Sequence, residues 1–258
     1  ISTKTMAATG RELEQDLEQS LRLLRTDYID IYQLHNPAFC PRPGDESGLY
    51  DAALKAREQG KIRHIGITNH RIAVAEEAID SGLYETLQFP FSYLASEGEI
   101  ELTKKCREAN MGFIAMKALS GGLIQNSAAA YAYIAQPQFD NVVPIWGVQK
   151  GSELDEFLSY QDCPPELDAE LAAQIEKDKK ELAGDFCRGC GYCMPCPAGI
   201  KINNCARMSL LLRRAPADGW LSEEWQKEMA RIEDCLHCGQ CKSRCPYCTL
   251  VNDVRPNS

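Results

Sequence analysis

The feature that most limits how this chain of 258 residues can fold is a regular alternation of strand-like and helix-like segments. It runs through the first ~160 residues, where stretches with apolar residues three or four apart alternate with short β-branched runs. Six strands are predicted, each followed by a helical segment. The predicted strands are 1–4, 28–34, 62–68, 86–89, 112–116 and 141–146, and the predicted helices between them are 10–25, 48–59, 71–81, 97–109 and 127–135. This order indicates an α/β fold with a parallel sheet.

No G-x-G-x-x-G motif opens a helix after the first predicted strand, which disfavours a doubly wound dinucleotide-binding fold and favours a (β/α) barrel. In such a barrel the functional side chains lie where the strands end. The residues that close the predicted strands are Lys4, His35, Asn36, Thr68, Asn69, His70, Gln88, Met116, Lys117, Gln149 and Lys150. Taken singly, each has an ordinary explanation, such as a solvated lysine at Lys4, a rim histidine at His35 or a helix N-cap at Asn69.

Composition limits the partners that we expect. The net charge of -9 argues against general binding to nucleic acid or to an anionic membrane surface. No apolar run approaches the roughly 20 residues that a helix needs to cross a bilayer. The first residue is Ile rather than Met, so we expect the N-terminus of the natural protein to be missing.

Eight of the thirteen cysteines lie in two short runs. The second run, followed by a proline, has the C-x2-C-x2-C-x3-C-P pattern that binds a [4Fe-4S] cluster in bacterial ferredoxins. The first run has the same form with one residue fewer in its last gap. The members of the two runs are Cys187, Cys190, Cys193 and Cys196, and then Cys235, Cys238, Cys241 and Cys245. Clustered thiols of this kind indicate a reduced, cytoplasmic protein rather than a disulfide framework.

The fourth cysteine of each run is predicted to bind the cluster of the other run, as in two-cluster ferredoxins. One cluster is then held by Cys187, Cys190, Cys193 and Cys245, and the other by Cys235, Cys238, Cys241 and Cys196. Two clusters predict a two-step path for electrons, and purely structural clusters are the plainer alternative. Paired zinc sites are another alternative, although three cysteines at consecutive two-residue gaps favour iron and sulfide. The other cysteines, interpreted as buried or incidental thiols, are Cys40, Cys106, Cys163, Cys205 and Cys248.

Composition also divides the chain into three parts. A proline pair followed by a charged amphipathic stretch marks residues 162–186 as a connecting helix. It joins a barrel part, residues 1–161, to a cysteine-rich part, residues 187–258. The two cysteine runs are separated by a helix-rich insert that carries Trp220 and Trp225. This insert predicts a small, mainly α-helical ferredoxin-like domain.

Several segments of the chain resemble the aldo-keto reductases in order and spacing. They are "ISTK", "LRLLRTDYIDIYQLHNP", "GKIRHIGITNH", "LQFPFSYL" and "AAYAYIAQPQFDNVVPIWGV". The run "CGYCMPCP" extends the resemblance to a subgroup with a C-terminal two-cluster ferredoxin domain. The resemblance implies a (β/α)8 TIM-type barrel, of which six strands are present here. It also implies hydride transfer between NADP or NAD and a small carbonyl or alcohol.

The resemblance assigns roles to five of the strand-end residues. Lys4 matches the lysine that lowers the pKa of the catalytic tyrosine of the family. His35 matches the histidine that hydrogen-bonds and orients the substrate carbonyl. Thr68, Asn69 and Gln88 match the residues that hold the nicotinamide carboxamide.

The chain departs from the family pattern in three places. Met116 and Lys117 stand where many members have an aromatic residue, so that a thioether and a cation replace flat stacking on the nicotinamide. Lys150 lies near the 2′-phosphate site of the family, but Glu153 stands where an arginine is frequent, which leaves NADPH and NADH both open. The catalytic aspartate and tyrosine of the family lie upstream of the strand that ends in Lys4. We therefore expect the chain as given to lack reductase activity.

Three functional hypotheses follow from the sequence. The leading one is an oxidoreductase in which the barrel binds nicotinamide nucleotide and substrate while two clusters exchange electrons with a partner such as a ferredoxin or flavoprotein. The alternative is an electron-transfer or partner-binding iron-sulfur protein with a catalytically silent barrel. The third is a zinc-dependent binding module.

Overall fold

A computed structural model of the protein describes residues 1–182, 187, 189–214 and 217–245. Six strands form one sheet, in which every neighbouring pair is parallel and the strand order follows the sequence. They are β1 (Ser2–Thr5), β2 (Ile29–His35), β3 (Ile62–Thr68), β4 (Thr86–Pro90), β5 (Gly112–Met116) and β6 (Val142–Pro144). The predicted parallel sheet is confirmed, and its sixth strand is shorter than the sequence indicated.

Helices connect the strands in the predicted order. Those of the sheet region are α1 (Gly10–Leu24), α2 (Leu49–Glu58), α3 (Ile72–Ser81), α4 (Glu97–Glu108) and α5 (Ser127–Ile134). They are followed by α6 (Gly151–Asp162), α7 (Ala169–Glu181), α8 (Ile202–Cys205), α9 (Met208–Arg214), α10 (Glu223–Ala230) and α11 (Gln240–Arg244). The helix predicted within 162–186 corresponds to α7, and residues 183–186 lie outside the described ranges. Among the helices that the structure describes, none has the length and apolar character needed to cross a membrane.

Helix α1 illustrates how local sequence determines where an element begins and which face it buries. The Thr9 hydroxyl accepts a hydrogen bond from the Glu12 backbone N–H, and the Glu12 carboxylate accepts one from the Thr9 N–H. This capping box satisfies two backbone donors at the start of the helix. Leu13, Leu17 and Leu21 follow on one face and are buried, so the helix packs through a single apolar stripe.

The chain forms two compact units that interleave in sequence. The first contains Ile1–Phe91, Ala95–Met116 and Ile134–Ile145, and therefore holds the sheet. The second contains Ser92–Leu94, Lys117–Tyr133 and Trp146–Ser258. This division by packing differs from the predicted boundaries at residues 161 and 186, which rest on composition alone.

Each unit has an apolar core of its own. Side chains that are almost fully buried in the first unit include Tyr32, Ile65, Leu87, Phe89 and Phe113. A core cluster of the second unit is formed by Tyr93, Ile124, Ala129, Ala130 and Ile175. Next to this cluster the Tyr93 hydroxyl donates to the buried carboxylate of Asp178, which also accepts a hydrogen bond from Gln174 at 2.9 Å. The buried carboxylate therefore has hydrogen-bond partners, as such groups require.

Candidate functional site

Neighbouring strands bring the predicted residues of the sheet together. In the parallel register, His35 at the end of β2 lies opposite Thr68 at the end of β3, and Thr68 lies opposite Gln88 in β4. Lys4 in β1 lies opposite Gln33 in β2. Because all the strands run in the same direction, these residues share one edge of the sheet.

His35 is held through one of its ring nitrogens. Its Nδ1 lies 2.8 Å from the hydroxyl oxygen of Thr68. The backbone N–H of Asn36 donates to the same hydroxyl oxygen at 3.1 Å and to the Thr68 carbonyl at 2.8 Å. Burial lowers the pKa of His35, and the positive charge of Lys4 lowers it further. The imidazole is therefore neutral near pH 7, the state in which one ring nitrogen donates and the other accepts.

This environment predicts how stability depends on pH. The pKa of His35 in the folded protein lies below its ordinary value of 6.5, so below that pH the unfolded chain binds more protons at this position than the folded chain does. The stabilising contribution of a neutral His35 is complete above pH 6.5 and decreases as the pH falls toward the folded pKa. We expect His35→Gln, which cannot titrate, to show a weaker loss of stability between about pH 7.5 and about pH 5.5.

The measurement is the urea midpoint of unfolding at each pH. His35→Asn is the matched variant, because its side chain cannot titrate either, and it should show the same weaker loss of stability. An identical pH dependence in the parent and in His35→Gln would contradict the assignment.

Asn69 is completely buried and uses its amide within the chain. Its Oδ1 accepts from the backbone N–H groups of His70 and Arg71 at 2.9 Å each, and its Nδ2 donates to the Pro37 carbonyl at 2.9 Å. Asn69 therefore forms the turn that leads into α3, whereas the N-cap itself is Arg71.

Two buried amides, those of Gln33 and Gln88, connect the strands below this turn. Gln33 Nε2 donates to Gln88 Oε1 at 3.1 Å and to Ser2 Oγ at 3.2 Å, while Gln88 Nε2 lies 3.6 Å from the Met116 sulfur. Within the described ranges, Gln33 Oε1 and Asn36 Oδ1 are buried acceptors without a hydrogen-bond partner. Such orphaned acceptors fit a ligand that brings N–H donors, as a carboxamide does. The sequence prediction did not include Gln33, although an amide in an apolar strand is a signal because it is costly to bury unpaired.

The other predicted nucleotide contacts, Lys117 and Lys150, belong to the second unit. Lys117 has a left-handed backbone, with φ of 57°, and its carbonyl accepts from the Ser120 N–H at 2.7 Å. Lys150 precedes α6, where the Glu153 carboxylate accepts from the N–H groups of Gln149 and Lys150 at 2.7 and 3.1 Å. These bonds lower the pKa of Glu153. An ionised carboxylate therefore occupies the start of α6, next to the predicted phosphate contact.

The first cysteine run lies in a partly buried loop. Cys187 Sγ accepts a hydrogen bond from the Gly189 N–H at 3.4 Å. Burial raises the pKa of Cys187, and it raises the pKa of Cys193 to about 11. Two other thiols, those of Cys190 and of Cys245, raise the pKa of Cys187 further. Electrostatic interaction between the two runs also reaches Cys193, whose pKa is raised by Cys241.

The second cysteine run borders a cavity of about 290 Å³. The cysteines that line it are Cys193, Cys196, Cys235, Cys238 and Cys241. Ile200, Ile202 and Ile232 contribute apolar walls, and an apolar surround limits access of water to a metal centre. Cys193 and Cys196 of the first run thus line the same cavity as the first three cysteines of the second run, and cysteine sulfurs are the ligands of an iron-sulfur cluster. The described residues contain no three Cys, His, Asp or Glu side chains placed to hold a single metal ion.

The remaining cysteines are not members of these two runs. Cys40, Cys106 and Cys205 are buried, whereas Cys163 is exposed. Burial raises the pKa of Cys106 to about 12, so this thiol is protonated at neutral pH and unreactive. Cys248, the last of the predicted incidental thiols, lies outside the residues that the structure describes.

The parallel sheet and the two cysteine runs indicate part of a (β/α) barrel followed by a C-terminal iron-sulfur domain. The model of the aldo/keto reductase family matches residues 1–133, and that of a 4Fe-4S dicluster domain matches residues 186–248. The chain belongs to the aldo/keto reductase family. Its parallel sheet corresponds to part of the (β/α)8 barrel of that family.

Individual relatives agree with this membership. Methylglyoxal reductase DkgB of Escherichia coli O157:H7 is 39% identical over 187 residues, which cover 68% of this chain and 67% of the relative. The oxidoreductase YrpG of Bacillus subtilis is 32% identical over 124 residues, and the match covers 45% of this chain but only 37% of the relative. The apo structure of aldo-keto reductase AKR11C1 from Bacillus halodurans superposes with a TM-score of 0.55 at 21% identity, covering 69% of this chain and 70% of that structure. This last comparison supports the fold alone.

Proposed function

We propose that the protein carrying this chain reduces small carbonyls with a nicotinamide nucleotide, and that its iron-sulfur domain links this chemistry to single-electron transfer. The observation that carries the proposal is the position of Lys4 and His35 at one edge of the sheet, where the charge of Lys4 acts on the imidazole. A relative covering two thirds of the chain is a methylglyoxal reductase. Small α-dicarbonyls are therefore the first substrate class to test.

His35 would hydrogen-bond the substrate carbonyl through Nε2. The Thr68 hydroxyl accepts from the Asn36 N–H, and in the tautomer proposed here it donates its own proton to His35 Nδ1. With Nδ1 as the acceptor, the single proton of the neutral ring resides on Nε2. An N–H at that position orients the carbonyl and stabilises the negative charge that develops on its oxygen during reduction.

Lys4 would act on the tyrosine that completes the catalytic tetrad of the family. A nearby positive charge lowers the pKa of a phenol, which makes the phenol a better proton donor to the carbonyl oxygen. In this scheme the carbonyl carbon receives a hydride and its oxygen receives a proton. The resemblance assigns none of the 258 residues to the tyrosine or to the aspartate of the tetrad.

The nucleotide would be held by residues at the strand ends and at the start of α6. We assign to it Thr68, Asn69, Gln88, Met116, Lys117 and Lys150. In the described ranges Gln33 Oε1 and Asn36 Oδ1 are buried acceptors without a partner, and the carboxamide would bring N–H donors. When bound, the nicotinamide supplies the hydride. The carboxylate of Glu153 next to Lys150 makes NADH as plausible a cofactor as NADPH.

The cysteines would hold two [4Fe-4S] clusters by crossed ligation, with Cys245 serving the first run and Cys196 the second. The influence of Cys245 on Cys187 and the shared cavity of Cys196 with the second run support this assignment. Each such cluster carries one electron at a time, so two clusters match the two electrons of a hydride. A ferredoxin or a flavoprotein of the cytoplasm is the kind of redox partner that this scheme requires.

The test is the oxidation of NADPH and NADH by methylglyoxal, measured with the complete product of the gene. We expect reduction of the carbonyl, and we expect His35→Gln to lower kcat/KM about a hundredfold because the amide does not place its N–H where the imidazole Nε2 lies. The KM for the nucleotide should change little. His64→Gln, on the exposed side of β3, should behave like the parent.

Three outcomes would contradict the proposal. Unchanged kcat/KM in His35→Gln would remove His35 from the catalytic site. Failure of the complete protein to bind nucleotide or to reduce any carbonyl would leave an electron-transfer protein with a silent barrel, if its clusters still respond to a reduced ferredoxin. Clusters whose absorbance responds neither to NADPH nor to a reduced ferredoxin would remove the proposed link to single-electron transfer.

A further inference from the structure

Arg207 is a buried cation beside the first cysteine run. It lies between α8 and α9, and only 8% of its surface is exposed. Its Nε donates to the Asn203 carbonyl at 3.3 Å, and its Nη1 donates to the Gly121 carbonyl at 3.1 Å. Both acceptors are uncharged, so these bonds orient the guanidinium without neutralising it.

Two glycines enclose this guanidinium. An ideal Cβ placed on Gly189 would lie 2.7 Å from Arg207 Cζ, and one placed on Gly121 would lie 2.7 Å from Arg207 Nη1. Both glycines have positive φ values, 63° and 67°, a conformation that residues with a side chain rarely adopt. The backbone therefore approaches the guanidinium from two sides and fixes its position close to the cysteine loop.

The charge of Arg207 is balanced by no carboxylate among the residues that the structure describes. Burial lowers the pKa of the guanidinium, and negative charge on Cys187 and Cys190 acts in the opposite direction. An arginine is rarely buried without an anionic partner, because the desolvation of its charge is then uncompensated. Cys187 and Cys190 are both assigned as cluster ligands.

We propose that Arg207 is the counter-cation of the cluster held by the first cysteine run and that it raises the reduction potential of this cluster. The proposal rests on the proposed function, in which Cys187 and Cys190 bind that cluster. A [4Fe-4S] cluster with thiolate ligands is anionic and becomes more negative by one charge when it takes up an electron. A fixed positive charge in a poorly solvated loop therefore stabilises the reduced state more than the oxidised state.

The experiment compares the reduction potentials of both clusters in the full protein, reconstituted with iron and sulfide and titrated with dithionite under electron paramagnetic resonance. In Arg207→Gln we expect one cluster to become harder to reduce, with at least a tenfold fall in its equilibrium constant for reduction. For a one-electron step this corresponds to a fall of about 59 mV. The potential of the other cluster serves as an internal reference and should not change.

Two further variants separate charge from shape. Arg207→Lys keeps the charge. We expect this variant to bind as much iron as the parent and to shift the reduction potential by less than half of the shift seen in Arg207→Gln. Arg213→Gln removes an exposed arginine of α9 and should leave both potentials unchanged. If Arg207→Gln takes up less iron than the parent, the iron content of Arg207→Lys decides the question. Full iron uptake by Arg207→Lys supports the role of the charge, and reduced uptake by Arg207→Lys overturns it.

The remaining outcomes are also distinct. Equal potentials in the parent and in Arg207→Gln, both with full iron, overturn the role of Arg207 and leave the proposed function intact. A parent protein that binds no iron overturns the proposed function and this proposal with it. A shift of the same size in Arg213→Gln shows a general effect of net charge and overturns the specific role of Arg207.

Discussion

Replacing Cys245 by alanine is expected to remove the cluster bound by the first cysteine run, although Cys245 belongs to the second run. The iron content of the reconstituted protein should fall from about eight to about four atoms per chain. The physical reason is that the Cys245 thiol acts electrostatically on Cys187, whereas Cys196 lines the cavity of the second run. The converse substitution, Cys196→Ala, should therefore remove the other cluster.

The two losses can be told apart by the paramagnetic resonance signal that survives in each variant. Cys241→Ala lies only four positions before Cys245, and it should remove the opposite signal to Cys245→Ala. Cys163→Ala is the control, because Cys163 is exposed and lies outside both runs; it should keep all of the iron. The crossed assignment is wrong if Cys241→Ala and Cys245→Ala abolish the same signal.

Replacing Gly66 by alanine is expected to lower the free energy of unfolding by about 2 kcal/mol, because a new methyl group is forced into a packed sheet. Gly66 lies in β3 between β2 and β4. Its added Cβ would overlap Thr86 Oγ1 and lie 3.0 Å from Gln33 Cγ. Both neighbours sit on adjacent strands, so relief of the overlap must move the strands apart or displace the Gln33 amide from Gln88.

Gly112→Ala is a matched control for this substitution. Its added Cβ would also meet Thr86, but at 3.5 Å from Cγ2, which is an ordinary contact distance. The free energy of unfolding should change by less than about 1 kcal/mol in this variant. Urea denaturation of the parent and the two variants gives the comparison. Equal stability of Gly66→Ala and Gly112→Ala would show that the sheet accommodates the added methyl group.

The strands and their polar ends could be predicted from sequence because the signals are local. A β-branched run such as that of β2 predicts a strand from a few neighbouring residues. The last residues of parallel strands lie at the same edge of the sheet. His35 and Thr68, which end neighbouring strands, lie 2.8 Å apart through Nδ1 and the hydroxyl oxygen. The hydrogen bond from the Asn36 N–H to the same hydroxyl oxygen was not predictable, because it depends on the left-handed backbone of Asn36, φ 50°.

Residues whose contacts lie far away in the sequence could not be predicted. In the sequence Arg207 has no feature that distinguishes it from other arginines near a helix. Its guanidinium is held by the carbonyl of Gly121, which lies 86 positions away. Gln33 reads as one polar residue in a strand, and its partner Gln88 lies 55 positions away. Contacts between residues so far apart in sequence depend on the tertiary fold. Secondary-structure propensity and hydrophobic periodicity are local and do not predict them.

The interleaving of the two compact units limits how a protein of this kind can be reassembled from parts. The chain changes from one unit to the other after residues 91, 94, 116, 133 and 145. Consider a chimera with a single junction, in which the cysteine-rich end of this chain is joined to another reductase. Such a chimera would not contain segments 92–94 and 117–133 of this chain, which belong to the second unit. Gly121, whose carbonyl accepts from Arg207, is among the residues lost. Transfer of the iron-sulfur module to a new host therefore has to carry these inner segments along with the C-terminal one.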